Sequence, residues 1–487
     1  MKEILFKKFC RISDELLLDK NATKATIAIR SLHIIKNHPD YLYTTNNKSF
    51  FWILKYLVAN FFFAILYNLR FKLDKKKIKF QNKSTILISH LVNKDFIYKK
   101  NDFYYGNLQQ LFKKKKISSF KIFCNHTKIN SSLINNSLAK KNIIIFEKYL
   151  DLRNEYKLFK EQLLEFFRLI KIYKNTNNLF KKKVVKQAII SLFDKETLFA
   201  LKTSHQLDFY LQKINPKTLI CTYEGYSWER LCFQKAKNFS KKITCIGYQH
   251  TPVLNSNYSI KRNIKRNYDP DIILCTSKQS YKQIKDSKKI IKNNVFHLGN
   301  LKNINLKKGS MNKLNKNKLS FLVIPEGTIS ECTNLFNFSI KSAYKKKSFR
   351  FILRTHPIVD INEIFKILKI EKKKLPKNVI ISKNKNILQD IKRTSFVLFR
   401  GSAAVLQSIL GGNIPIYLKT KDDKNINPIQ EFNNEIKTVS NFEELDIFSK
   451  SCASKKQKNL KLIENIKKNY YKKFNINKLI KIKNKIR

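Results

Sequence analysis

The chain has 487 residues, enough for two or three domains, and 43% of them are hydrophobic, enough to build sizeable cores. Its 99 Lys and Arg against 35 Asp and Glu give a formal net charge of +64, which suits an anionic partner. The lysines are spread along the whole chain, Arg is sparse and no aromatic-plus-arginine module appears. A nucleic-acid partner is therefore not expected, and a phosphorylated substrate or a lipid surface fits the charge as well.

The eight cysteines include no C-x-x-C pair, which argues against a zinc site. Cys221, Cys245 and Cys275 lie in hydrophobic runs and read as small core residues of a protein in reducing cytoplasm. The chain is crowded with Lys, Asn, Ile and Phe, the bias of an AT-rich coding sequence, so its scarce residues carry the information. Eight of the nine glycines lie at or beyond Gly225.

In chain order, Met1-Lys2-Glu3-Ile4 shows no signal-peptide pattern. Residues 1–75 read as mostly helical. The run Phe50 to Leu69 is about long enough to span a bilayer. Lys55, Asn60 and Asn68 interrupt it, so a buried core helix, an interfacial helix and a membrane span all stay open. Strands are expected at Thr85 to His90, Phe120 to Cys124 and Ile143 to Phe146. A largely helical stretch at 155–213 follows, then strands at Thr218 to Thr222, Ile243 to Tyr248 and Asp271 to Cys275. The patterns Trp228 to Asn238 and Lys278 to Asp286 read as helices between them. Strands alternating with helices imply a parallel sheet.

Residues 301–319 lack periodicity and are the best linker candidate. Alternation then restarts, with strands at 320–324, 349–353, 378–382, 395–399 and 414–418. A Lys-rich amphipathic helix or tail closes the chain at about 455–487. The expected division is a helical segment at 1–80, a Rossmann-like domain at 81–305 and a second at 306–487. The fold class is α/β, two Rossmann-like parallel-sheet domains facing across a cleft.

The residues able to do chemistry sit where strands end. Thr218 to Thr222 runs into Tyr223-Glu224-Gly225-Tyr226-Ser227-Trp228-Glu229, where Gly225 permits a sharp turn and Ser227 can cap the next helix. The following strand ends in Gly247-Tyr248-Gln249-His250. Adjacent parallel strands bring Glu224 and His250 to one edge, where a carboxylate and an imidazole can serve as general base and partner. The competing reading of Glu224 is a dipole-friendly residue at a helix start, and Glu229 reads as structural. In the second half, Pro325-Glu326-Gly327, Arg354-Thr355-His356-Pro357 and Arg400-Gly401-Ser402-Ala403 each follow a strand-like run. Pro357 fixes its loop, His356 can donate to a phosphate or ribose, and Arg354 points to the same side. Arg400 to Ala403 offers a cation, a close approach at Gly401, a hydroxyl and helix amides, all suited to phosphate. Gly411-Gly412 reads as a helix stop before the strand at Ile414 to Tyr417.

These motifs, in this order, resemble those of GT-B transferases that use CMP-sugars, such as bacterial polysialyltransferases and capsule Kdo transferases. The R-x-H-P turn, the Ser-containing turn and G-x-P-I are also similar to teichoic-acid polymerases that use CDP-glycerol. The fullest likeness is to a family of bacterial surface carbohydrate biosynthesis proteins, sharing Y-E-G-x-x-W-E, G-Y-Q-H, P-E-G, R-x-H-P and R-G-S-A over roughly residues 85–430. The resemblance implies that Glu224 is a catalytic base and that His356 and Ser402 contact nucleotide phosphate. Two departures stand out: Tyr223 rather than a second acid precedes Glu224, and Ala403 rather than a second hydroxyl follows Ser402.

The resulting expectation is a metal-independent glycosyltransferase of surface polysaccharide assembly, with no cofactor. Its donor, a nucleotide-sugar and CMP-linked by the resemblance, would be held by Glu326, Gly327, Arg354, His356, Arg400, Gly401, Ser402 and Ala403. A glycan or lipid-linked acceptor would lie near Glu224 and His250, with peripheral contact at the cytoplasmic face of the inner membrane. The rivals are a CDP-glycerol-type polyol-phosphate transferase, an epimerase of the UDP-N-acetylglucosamine 2-epimerase type, and a non-catalytic membrane-associated assembly protein.

Overall fold

A computed structural model describes residues 2–34, 50–70, 83–127, 129–254, 257–264, 267–287, 290, 294–301, 319–356, 359–384, 386–420, 426–454 and 460–486. Contacts gather the chain into two compact units. The first comprises Met1–His250, Asn255–Lys302 and Lys473–Arg487, and the second Thr251–Leu254 and Asn303–Lys472. Of the expected linker at 301–319, residues 302–318 lie outside the described residues, as does Pro357.

The first unit is built on seven parallel strands: β1 (Thr85–Leu91), β2 (Ser119–Asn125), β3 (Ile143–Ile145), β4 (Thr218–Thr222), β5 (Thr244–Gln249), β6 (Ile272–Cys275) and β7 (Val295–His297). Their spatial order is β3-β2-β1-β4-β5-β6-β7, the doubly wound order of a Rossmann sheet. Every residue of β4 and β5 is buried, which is why they read as unbroken hydrophobic runs. The edge strand β7 has only Val-Phe-His and no legible pattern. The helical stretch before β4 is three helices, Leu152–Lys174, Leu179–Ser191 and Lys195–Ile214. Asn178 caps the second through its side chain, and Asp194 occupies the cap position of the third.

The second unit has six parallel strands: β8 (Leu319–Ile324), β9 (Phe349–Leu353), β10 (Val379–Ile381), β11 (Phe396–Phe399), β12 (Ile414–Leu418) and β13 (Lys437–Val439), in the order β10-β9-β8-β11-β12-β13. Alternate residues feed two cores. Phe321, Val323, Phe351, Leu353 and Phe396 pack on one side, and Leu322, Ile324, Ile352, Val397 and Phe399 on the other. Phe321 stacks on Phe351 and Phe396 with ring centroids 5.0 and 5.1 Å apart. The expectation of two Rossmann-like parallel-sheet domains is met.

The chain's end departs from the sequence reading. It forms two helices rather than one. Leu460–Tyr470 packs in the second unit through Leu462, Ile463, Ile466 and Tyr470. Ile476–Ile486 belongs to the first unit, because Phe474 and Leu479 are buried there with Leu87, Ile220, Ile246 and Tyr248. The Asn475 N–H also donates to the Leu298 carbonyl at 2.8 Å. The run at Phe50–Arg70 is a helix whose Ala64 is buried and whose Asn68 amide donates to the Leu150 carbonyl at 2.8 Å. Among the described residues, no helix is long and apolar enough to cross a membrane.

Candidate functional site

In a doubly wound sheet the strand order reverses at one point, and ligands bind outside the carboxyl ends of the strands there. That point lies between β1 and β4 in the first unit and between β8 and β11 in the second. The motif loops sit beside both.

In the first unit Thr222 pairs with Tyr248, so Glu224 and His250, two residues beyond, leave the sheet at one height. Glu224 is buried and His250 half-buried, with His250 Nε2 3.8 Å from Glu224 Oε1. That is within electrostatic reach and beyond a direct hydrogen bond. Gly225 takes a φ of +86°, and a Cβ there would lie 2.7 Å from both the carbonyl carbon and the hydroxyl of Ser259. That hydroxyl donates to the Gly225 carbonyl at 2.5 Å. Glu229 Oε2 accepts the N–H groups of Glu224 at 3.0 Å and of Gly225 and Tyr226 at 2.8 Å. Burial pushes the Glu229 carboxyl above the usual carboxylate range while these donors oppose the rise. The helix begins at Ser227 itself, with Tyr226 at the cap position.

Two histidines not singled out in the sequence complete this edge. His90 is the penultimate residue of β1, across the switch point from Glu224, and its Nδ1 lies 2.8 Å from Nε2 of His126, which follows β2. His90 Nε2 is 3.1 Å from the Thr222 hydroxyl. Burial, then the neighbouring His126 and His250, hold His90 well below the usual imidazole range, and burial lowers His126 too. The pair is thus neutral at pH 7, one ring donating to the other. Tyr104 meets His250 edge-on with centroids 4.6 Å apart and lies 5.2 Å from His90. Trp228 meets His90 edge-on at 5.1 Å. Buried Asp102 holds the Tyr104 loop, accepting the N–H groups of Tyr104 and Tyr105 at 2.8 and 3.0 Å and pairing with Lys121 at 3.4 Å. The available signal was position: both histidines stand at strand ends in a chain with only eight.

In the second unit Val323 pairs with Leu353 and Ile324 with Phe399. By that register Glu326 emerges level with His356 on one side and Gly401 on the other. The loops are in close contact. A Cβ on Gly327 would lie 2.9 Å from His356 Nδ1, and one on Gly401, whose φ is +64°, would lie 2.7 Å from Glu326 Oε2. The close approach that glycine permits at Gly401 is thus taken by Glu326. Both arginines are committed within the protein. Arg354 donates to Asp390 at 2.7 Å, the Asn384 carbonyl at 2.8 Å and the Ser382 hydroxyl at 3.2 Å. Arg400, 2% exposed, donates to Glu331 and to the Leu418 carbonyl, each at 2.6 Å. His356 is half-buried, Ser402 is 9% exposed and Ala403 is exposed. Among the described residues, no three His, Cys, Asp or Glu side chains are placed to hold a metal ion.

No protein-family model matches the chain, and no curated protein matches its sequence. Several solved structures are similar in fold. The glycotransferase of kitacinnamycin is 10% identical, with a TM-score of 0.46 over 79% of this chain and 93% of that one. UDP-GlcNAc 2-epimerase from Neisseria meningitidis, bound to UDP-GlcNAc, is 14% identical, with a TM-score of 0.44 over 82% and 97%. Anabaena HepE, in complex with UDP and glucose, is 9% identical, with a TM-score of 0.46 over 83% and 98%. At such identities and TM-scores, a functional reading has to rest on the residues.

Proposed function

We propose that the protein is a metal-independent glycosyltransferase of the GT-B type, acting in surface polysaccharide synthesis with a nucleotide-sugar donor, CMP-linked by the motif resemblance. One observation carries this reading: each unit brings its motif loops to its own topological switch point, titratable groups in the first and phosphate-suited loops in the second.

The second unit binds the donor. His356 and Ser402 contact its phosphate, Glu326, Gly327, Gly401 and Ala403 shape the loops, and Arg354 and Arg400 hold those loops through Asp390 and Glu331. The first unit binds a glycan or lipid-linked acceptor. In the reaction, the acceptor hydroxyl oxygen bonds to the anomeric carbon as the bond from that carbon to the phosphate oxygen breaks. The nucleotide leaves with the electron pair, and Glu224 takes the hydroxyl proton, with His250 beside it. The high positive charge favours an anionic donor and a lipid-phosphate acceptor.

The test is a donor panel with the purified chain: CMP-sialic acid, CMP-Kdo, CDP-glycerol and UDP-GlcNAc, each with glycan and lipid-linked acceptors. Sugar transfer from a CMP-sugar supports the reading. Transfer of glycerol phosphate from CDP-glycerol replaces it with the polyol-phosphate alternative, which the R-x-H-P and Ser-containing turns also suit. Epimerisation of UDP-GlcNAc without an acceptor overturns it.

A further inference from the structure

The helix Leu152–Lys174 buries polar side chains and leaves apolar ones exposed. Its buried face carries Glu155, Gln162 and Glu165 beside Leu158 and Leu169. Each buried polar group has partners within the first unit. Glu155 pairs with Lys202 at 2.8 Å, Gln162 donates to the Leu192 carbonyl at 2.6 Å, and Glu165 pairs with Arg168 at 2.7 Å. The face beside it carries Leu152, Tyr156, Phe159, Leu163 and Phe167, exposed by 39, 61, 36, 37 and 59%. Their spacing of three and four residues makes one continuous stripe. Apolar residues scattered singly on a surface need no explanation, but a contiguous patch marks an interaction site.

The charges are sorted in the same sense. Arg153, Lys157, Lys160, Lys171 and Lys174 are exposed, whereas Glu155 and Glu165 are buried and Glu161 half-buried. The helix Phe50–Arg70, tied to the Leu150 carbonyl just before this helix by Asn68, also exposes apolar residues. Its Val58, Phe62, Leu66 and Leu69 are exposed by 62, 55, 45 and 75%.

We propose that this face docks on the surface of an anionic lipid bilayer. An apolar, aromatic stripe flanked by Lys and Arg is the chemistry of a helix lying in the headgroup region. Each nearby cation adds attraction to anionic lipid. A second copy of the chain is the other occupant such a stripe invites. Charge disfavours it, because two chains of +64 would meet with the cations of one helix against those of the other. The proposal does not depend on the transferase reading.

The experiment is co-sedimentation of the purified full-length chain with vesicles of phosphatidylcholine alone and of phosphatidylcholine mixed with phosphatidylglycerol. Partition into the mixed vesicles should be about tenfold higher or more and should weaken as salt is raised. The triple variant Tyr156→Ser/Phe159→Ser/Phe167→Ser should lose about tenfold or more of that partition. Ile447→Ser, which removes a comparably exposed apolar residue in the second unit, should lose none. Should the triple variant melt below the wild type, the surface variant Lys157→Glu/Lys160→Glu serves instead and should show the same loss. Absence of wild-type binding, binding retained by both variants, or equal binding to both vesicle types overturns the proposal. So does a lipid-free dimer that the triple variant abolishes, which would assign the face to a second copy.

Discussion

The carboxylate of Glu229 holds the backbone of Glu224, accepting its N–H at 3.0 Å and those of the next two residues at 2.8 Å. One acid therefore shapes the loop and the other is carried by it. The two make opposite predictions. Glu224→Gln keeps shape and removes the proton acceptor, so turnover should fall about 10²–10⁴-fold while melting temperature and nucleotide affinity hold. Glu229→Gln weakens a buried acceptor of several N–H groups, so stability should drop by about 1–3 kcal/mol and activity with it. Steady-state kinetics beside thermal melting separates them, and near-normal turnover in Glu224→Gln would leave His250 as the better base.

His356 sits level with Glu326 and against Gly327 in the cluster of loops at the second switch point. A hydrogen bond to a charged phosphate contributes about 1.5–3 kcal/mol, so His356→Ala should weaken nucleotide binding roughly ten- to a hundredfold. Calorimetry with CMP, CDP and UDP reads this directly, and unchanged affinity for all three removes His356 from the site.

Arg354 pairs with Asp390, which is fully buried. Arg354→Gln strands that carboxylate and should cost about 3–5 kcal/mol in chemical denaturation. Adding Asp390→Asn should recover much of the loss, because no unpaired charge then remains buried. Unaltered stability with weakened nucleotide affinity would instead mark Arg354 as a phosphate ligand.

Gly401 combines a φ of +64° with Glu326 at 2.7 Å from any Cβ. Gly401→Ala should therefore destabilise the second unit by roughly 1–3 kcal/mol, seen as a lower denaturation midpoint. A neutral substitution would show that Glu326 swings away freely.

Stability should fall on acidification below about pH 6.5. His33 is fully buried, with Nε2 donating to the Ile27 carbonyl at 2.7 Å, and burial followed by Arg262 and Arg230 holds it well below its ordinary range. His90 is depressed by burial and by its histidine neighbours. Because the folded values are lowered, the stabilisation is complete above the unfolded value and is lost as pH falls, by up to about 1.4 kcal/mol per pH unit for each group. Denaturation curves from about pH 7.5 to 5 check this, and a flat profile there overturns the assignment of both.

The two parallel sheets and most of their strands were legible in the residues, since parallel strands are buried on both faces and must read as hydrophobic runs. So were the loops that carry Glu224, His250, Glu326, His356 and Ser402, because glycine and proline mark where strands end. Which loops meet was not legible in the sequence, since contact depends on strand order and register, which no local pattern carries. Only the order β2-β1-β4 brings His90, His126 and Thr222 together, and only the pairing of β8 with β9 and β11 sets Glu326 between His356 and Gly401. Tertiary structure also decided the fate of the charged groups. Arg400 reads as a phosphate cation in a short motif, yet Glu331 claims it from a distant part of the chain. Helical periodicity alone likewise could not say which face of Leu152–Lys174 turns inward, because that was settled by partners such as Lys202 and the Leu192 carbonyl.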